Sequence, residues 1–230
     1  MANPSKLTYQ LAAPVANGIC LSQAVAAAGA LTLNGSLVAS GVATLDSGGA
    51  ARRVLIASTG ADGAVVFTIT GTDRNGNALT GTVTGVTSAA SQYSAVDFLT
   101  VTGIGSNAAT AGNITAGTNG VGSSAWIQDN WMAPTWAESI ACLGAAGTNY
   151  TVEHTYDDFN QTAPNAPFGF SLEASSNVPP TAWPNPIIAN VSGQNEARYV
   201  DWPIFGHRLT IVSGTGLVTM WSLSSGIGSP

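Results

Sequence analysis

The chain has 230 residues, of which 45% are hydrophobic and only 8% charged, and its net charge is −6. An ordinary soluble protein carries about 25% charged residues, so the surface here must be built largely from Thr, Ser, Asn and Gly. One Lys and five Arg cannot form the stripe that neutralises a phosphate backbone, which excludes direct nucleic-acid binding, and no apolar run approaches the ~20 residues of a membrane-spanning helix. In chain order, residues 1–30 read as an N-terminal arm. Leu7, Tyr9 and Leu11 alternate until Pro14 and Asn17-Gly18 break the pattern. Ile19 to Val25 fits a strand, and Ala24 to Ala30 a short helix or irregular chain. Leu31-Thr32-Leu33 and Ser36-Leu37-Val38, joined by Asn34-Gly35, fit a hairpin.

Arg53 to Ser58 is a strand. Val65 to Thr70 and Leu79 to Thr84 follow as two β-branched runs around Asp73-Arg74-Asn75-Gly76-Asn77. Asn and Gly tolerate positive φ, so this loop predicts a tight antiparallel hairpin. A Ser/Ala linker leads to strands at Val96–Gly103 and Asn113–Ala116. Thr118 to Ser124 reads as a linker between modules, because all six Trp and nine of the eleven Pro lie beyond it. Further strands are expected at Ile140–Leu143, Tyr150–Tyr156, Arg198–Trp202, His207–Ser213 and Gly216–Leu223. Ser213-Gly214-Thr215-Gly216 joins the last two as a closing hairpin. A long Pro/Asn-rich excursion between Asp157 and Asn195 fits a functional loop or an oligomer contact. The organisation this implies is all-β: an arm (1–30), a β-sandwich module (31–120) and a Trp/Pro-rich β module (121–230), with a jelly roll among the arrangements that fit.

Motifs that carry chemistry are sparse. Cys20 and Cys142 match no metal spacing and read as two buried free thiols. The densest ionisable cluster is YTVEHTYDD. On a strand, Glu153, Thr155 and Asp157 point one way while Val152, His154 and Tyr156 point the other, which splits the carboxylates from the imidazole; Asp157-Asp158 fits a turn. His207, beside Arg208 at a strand start, reads as structural or as a subunit contact. A polysaccharide hydrolase would need two carboxylates at working separation; Glu138, Glu153, Asp157, Asp158, Glu173, Glu196 and Asp201 supply candidates without a pattern. No catalytic, metal-binding or cofactor-binding set is nominated. Trp136, Trp183 and Trp202 could form a glycan-stacking or partner-contact platform, with core packing of the Trp residues as the default expectation. The N-terminus lacks a signal peptide's charged and apolar regions, so a cytoplasmic protein is expected.

Two stretches carry a resemblance. RRVLIASTGADGAVVFTITGTDRNGNALTGTVTG, with its arginine-started strand and TGTDRNGN hairpin, resembles a segment of structural virion proteins of tailed bacteriophages. YTVEHTYDD and RLTIVSGTGLVTMWSLSSG are similar to a V-x-H-T-x-D-D strand and a Ser-Gly-Thr-Gly hairpin of the same group. The resemblance covers about half the chain. It implies a non-enzymatic virion component assembled in the bacterial cytoplasm, homo-oligomeric, without cofactor, and bound to the major capsid protein or to neck or tail proteins. A capsid-decorating (cement) role is the first expectation. A tail, neck or fibre component is the alternative within that class, and a host-glycan-binding module the alternative outside it.

Overall fold

The computed structural model describes residues 3–46, 48, 50–74, 76–87, 90–129, 137–156 and 186–224. Among them the chain is all-β, with no helix. In chain order the strands are β1 (Asn3–Tyr9), β2 (Cys20–Gln23), β3 (Gly29–Ala30), β4 (Val38–Ala39), β5 (Val42–Thr44), β6 (Ala51–Ser58), β7 (Val66–Thr72), β8 (Ala78–Thr84) and β9 (Ala90–Phe98). There follow β10 (Thr100–Ser106), β11 (Ile114–Ser123), β12 (Ile127–Gln128), β13 (Glu138–Gly144), β14 (Asn149–Thr155), β15 (Ile188–Ser192), β16 (Asn195–Val200), β17 (Gly206–Ser213) and β18 (Val218–Ser224). They form two compact, β-sandwich-like units, one of Ala12–Gly122 and one of Met1–Leu11 with Ser123–Pro230.

In the Ala12–Gly122 unit one sheet runs β4-β5-β10-β7-β8, with β3 also on β10; the other layer sets β6 between β11 and β9, with β2 on β11. Period-2 alternation turns Phe67, Ile69, Leu79 and Val83 inward from the first layer, and Val101 and Ile104, three positions apart, both face in because the register of β10 shifts between Val101 and Gly103. Val54, Ile56, Phe98, Ile114 and Ala116 meet them from the second in one buried cluster. Each large side chain buried here contributes about 1.5–3 kcal/mol.

The expected hairpin is β7–β8, in register from Val66↔Thr84 to Thr72↔Ala78. Its loop closes as the residue types dictate. The Asp73 carboxylate accepts from the Asn77 backbone N–H at 2.9 Å, and Gly76 takes φ +83°. In β9 three residues, Ser94 to Val96, oppose the single Val54 of β6, since Arg53 pairs Asp97 and Leu55 pairs Tyr93. The Ser94 hydroxyl accepts from the Val54 N–H at 3.0 Å and donates to the Val96 carbonyl at 2.7 Å, so it holds this bulge. Ser94→Ala leaves a buried N–H unpaired. It is expected to cost about 1–3 kcal/mol in chemical denaturation, with no change in the denaturant slope.

Several expectations fail for identifiable reasons. Asn34-Gly35 is not a hairpin turn: both N–H groups donate to the Ile19 carbonyl, and the Asn34 side chain accepts from the Leu21 N–H. The hairpin in this stretch is β4–β5, turning at Ser40-Gly41 with φ +51° and +81°. Ala24–Ala30 forms no helix; it leads instead into β3 on the edge of β10. The Ser/Ala linker already belongs to β9 from Ala90, and Val96–Gly103 spans the end of β9 and the start of β10. Thr118–Ser124 holds the boundary between the two units, as expected, but it is not irregular chain, since β11 runs through Ser123. Its buried Thr118, Ser123 and Ser124 are small enough to pack and use their hydroxyls as hydrogen-bond partners.

In the second unit one sheet runs β1-β18-β13-β16, and the other layer sets β14 between β15 and β17, with β12 on β17. Ile140, Cys142, Val200, Val218 and Met220 face Tyr150, Val152, Ile188, Leu209 and Ile211 in the core. The closing hairpin of β17 and β18 does not form. β18 pairs with β13 and β1, and β17 with β14, so Ser213–Gly216 carries the chain from one sheet to the other. The β13–β14 connection makes the same crossing, and the two corners bond to each other. The Gly216 N–H donates to the Thr148 hydroxyl at 2.7 Å, and the Ala145 N–H to the Leu217 carbonyl at 2.9 Å.

The segment expected as an arm is shared between the units. Asn3–Tyr9 is the strand β1, antiparallel to β18, whereas Cys20–Gln23 pairs with β11. Cys20 and Cys142 are both buried free thiols, as their spacing suggested. The three described Trp residues lie outside this unit's core, contrary to the default expectation. Of those described, Trp126 is half-buried under the Arg208 guanidinium at 4.5 Å, and Trp202 and Trp221 are exposed.

Candidate functional site

The alternation Ile140, Cys142 on β13 extends back by two positions to Glu138, which therefore points into the core of the second unit. Glu138 is 1% exposed. From the opposing layer, β17 brings His207 to the same place, opposite Ile127 of β12 and His154 of β14. Asp129 follows β12 directly and is fixed by its own N–H, which donates to the Phe205 carbonyl at 3.0 Å.

These three side chains meet in the interior. His207 Nδ1 lies 2.9 and 3.1 Å from the two Asp129 oxygens and 3.6 Å from Glu138 Oε1. One ligand-capable atom from each residue falls within 4.8 Å of the others, and all three residues are buried. No well-formed hydrogen bond reaches either Glu138 oxygen or His207 Nε2, although the Ser222 hydroxyl and the Asp129 carboxyl lie beside Glu138. Burial pushes the Asp129 carboxyl up to about 7, against a lowering contact with Glu138. Burial also pushes Glu138 up to about 8, aided by Asp129 and opposed by His207 and the Ser222 hydroxyl. The same desolvation pushes the His207 imidazole down, although Glu138 pulls it up.

A cluster without solvent access cannot take a bulky substrate. What it can do is share protons or hold a cation. In protein kept in chelator, both carboxyls stay protonated in the folded chain at pH values where the unfolded chain has released the protons. Raising the pH therefore favours unfolding; below about pH 6.5 the depressed His207 acts in the opposite sense. Between pH 6.5 and 8 the unfolding free energy is expected to fall by about 1–2 kcal/mol, and Glu138→Gln to flatten that slope, as read from urea midpoints.

The residues nominated from sequence fall elsewhere. Glu153 leaves the core face, accepting from Arg208 Nε at 2.7 Å and the Thr210 hydroxyl at 2.9 Å. His154 is buried on the other face, with the Tyr156 ring edge-on at 5.5 Å. Glu196 pairs with Arg198 at 2.6 Å, and Asp201 is exposed. Trp202 is 46% exposed; Trp136, Trp183, Asp157, Asp158 and Glu173 lie outside the described residues.

No family model matches the chain, and no curated protein matches it either. Among solved structures, a candidate secreted protein from Parabacteroides distasonis ATCC 8503 aligns over 96% of this chain and 100% of its own, at 10% identity and a TM-score of 0.26. A structure of infectious bursal disease virus, Gx strain, aligns over 100% of this chain and 72% of its own, at 10% identity and a TM-score of 0.21.

Proposed function

We propose that the chain is a non-enzymatic structural component of a tailed-phage virion, in first place a capsid-decorating protein and otherwise a neck, tail or fibre component. The observation that carries this reading is the outward face of the sheet β1-β18-β13-β16. The residues that alternate away from the core there are Trp221 and Leu223 on β18, Leu143 on β13 and Tyr199 on β16, all exposed, Tyr199 at 63%. Lys6 of β1 stands 5.7 Å from the Trp221 ring. An apolar, charge-poor sheet face of this kind suits burial against neighbouring subunits. The edge strands β1 and β16 offer backbone groups for the same contacts. The sequence resemblance to virion proteins and the low charge content agree with this reading.

Sedimentation velocity on the purified chain tests it. A closed homo-oligomer that Leu143→Asp dissociates, with the β-sheet circular dichroism unchanged, is the expected result. A monomer at all concentrations, unaffected by the substitution, speaks against the face as a subunit contact.

A further inference from the structure

We propose that Asp129, Glu138 and His207 form a structural binding site for a divalent cation of the zinc class, linking the two sheets of the second unit. The inference is independent of the virion reading.

Donor chemistry comes first. One imidazole nitrogen and two carboxylates are the hard-to-borderline set that Zn²⁺ and its first-row neighbours accept, whereas Ca²⁺ and Mg²⁺ favour all-oxygen shells. The spacing comes close. Atoms bound at about 2.0–2.2 Å to one tetrahedral ion lie roughly 3.3–3.6 Å apart; His207 Nδ1 is 3.6 Å from Glu138, and its 2.9 Å hydrogen bond to Asp129 would open by a few tenths of an ångström as the ion replaces the proton. One ligand atom from each of the three residues lies within 4.8 Å of the other two, close enough to share one ion.

Charge gives the second argument. Two carboxylates beside a neutral imidazole carry −2 in a dry interior, and a divalent cation cancels this. Without it the groups must take up protons, or remain as uncompensated buried charge at a cost of several kcal/mol. The third argument is Glu138 itself. A buried carboxylate normally collects two or more donors, yet at 1% exposure Glu138 has only the Ser222 hydroxyl and the Asp129 carboxyl beside it, neither in good hydrogen-bond geometry, and Oε1 faces the imidazole. A cation would complete this thin set of partners. Asp129 and His207 come from one layer and Glu138 from the other, so one ion would cross-link the two layers.

The test uses untagged full chain, unfolded and refolded with one equivalent of ZnCl₂ or CoCl₂, or with chelator, then desalted. About one ion per chain should survive desalting. The Co²⁺ form should show visible ligand-field bands, and the chelated form should melt several degrees lower. Glu138→Gln, which keeps the shape of a protonated Glu138, should fold and bind at least about 100-fold more weakly. Asp129→Asn serves the same purpose if that variant does not fold. His154→Gln, at the only other histidine, should bind as the parent does. A wild-type chain that retains no Zn²⁺ or Co²⁺ and melts identically with and without chelator overturns the proposal. So does retention that Glu138→Gln and Asp129→Asn leave unchanged.

Discussion

Asp62→Ala is expected to lower the unfolding free energy by about 3 kcal/mol or more, enough to unfold much of the population near the wild-type melting temperature. Asp62 is a buried carboxylate that ties two loops of the Ala12–Gly122 unit together. It accepts from the Ser58 hydroxyl and from the Ala111 and Gly112 backbone N–H groups, at 2.5 and 3.2 Å for the last two. Its own N–H donates to the Val86 carbonyl at 2.8 Å. Truncation leaves three donors facing a cavity. Burial pushes this carboxyl up, but the hydrogen bonds from Ser58, Ala111 and Gly112 together hold it below the usual aspartate range. Its contribution is therefore fully present above about pH 4 and is lost as the pH falls through the depressed value. Asp62→Asn keeps one acceptor oxygen and should cost less. A urea melt of the three proteins at pH 7 orders them as wild type, Asn, Ala; equal stabilities would show that the loops are held some other way.

Gly117→Ala should be comparably damaging, at about 3 kcal/mol or more, although it adds a single methyl group. A Cβ at Gly117 would fall on the Val15 carbonyl oxygen and the Ala16 carbonyl, which are backbone atoms that no rotamer change can clear. The segment it would displace is anchored by three bonds. The Val15 carbonyl accepts from the Gly18 and Thr118 N–H groups at 3.1 and 2.9 Å, and the Val15 N–H donates to the Thr118 hydroxyl at 3.1 Å. Gly41→Ala is the control: no atom lies near its Cβ, and only the φ of +81° is strained, so its cost should stay near 1 kcal/mol. Hydrogen exchange should show Gly18 and Thr118 losing protection in Gly117→Ala and keeping it in Gly41→Ala.

What sequence reasoning could read depended on whether the decisive contacts were local. The β7–β8 hairpin was legible because its turn residues and its alternation lie within twenty residues of each other. Strand β11 was legible only at its start, within Asn113–Ala116, because the buried positions beyond include hydroxyls and glycines rather than large apolar side chains, and their partners Val15 and Thr210 are remote in sequence. Ser213–Gly216 has the composition of a hairpin turn whether it joins paired strands or carries the chain between sheets. Only its bonds to the Ala145–Thr148 corner separate the two cases. At the buried cluster Glu138 could have been found, since extending the Ile140/Cys142 alternation by one step puts an acid on an inward face. Asp129 could not, because it meets His207 across 78 positions of chain.

Co-sedimentation of the purified chain with phage shells, stripped of decorating proteins, tests the central claim most directly. Saturable binding at a fixed number of copies per shell, abolished by Leu143→Asp or Tyr199→Asp in folded protein, is the result this account predicts. A folded chain that stays in the supernatant with shells and with tails alike, or that binds equally well with the sheet face charged, would contradict it.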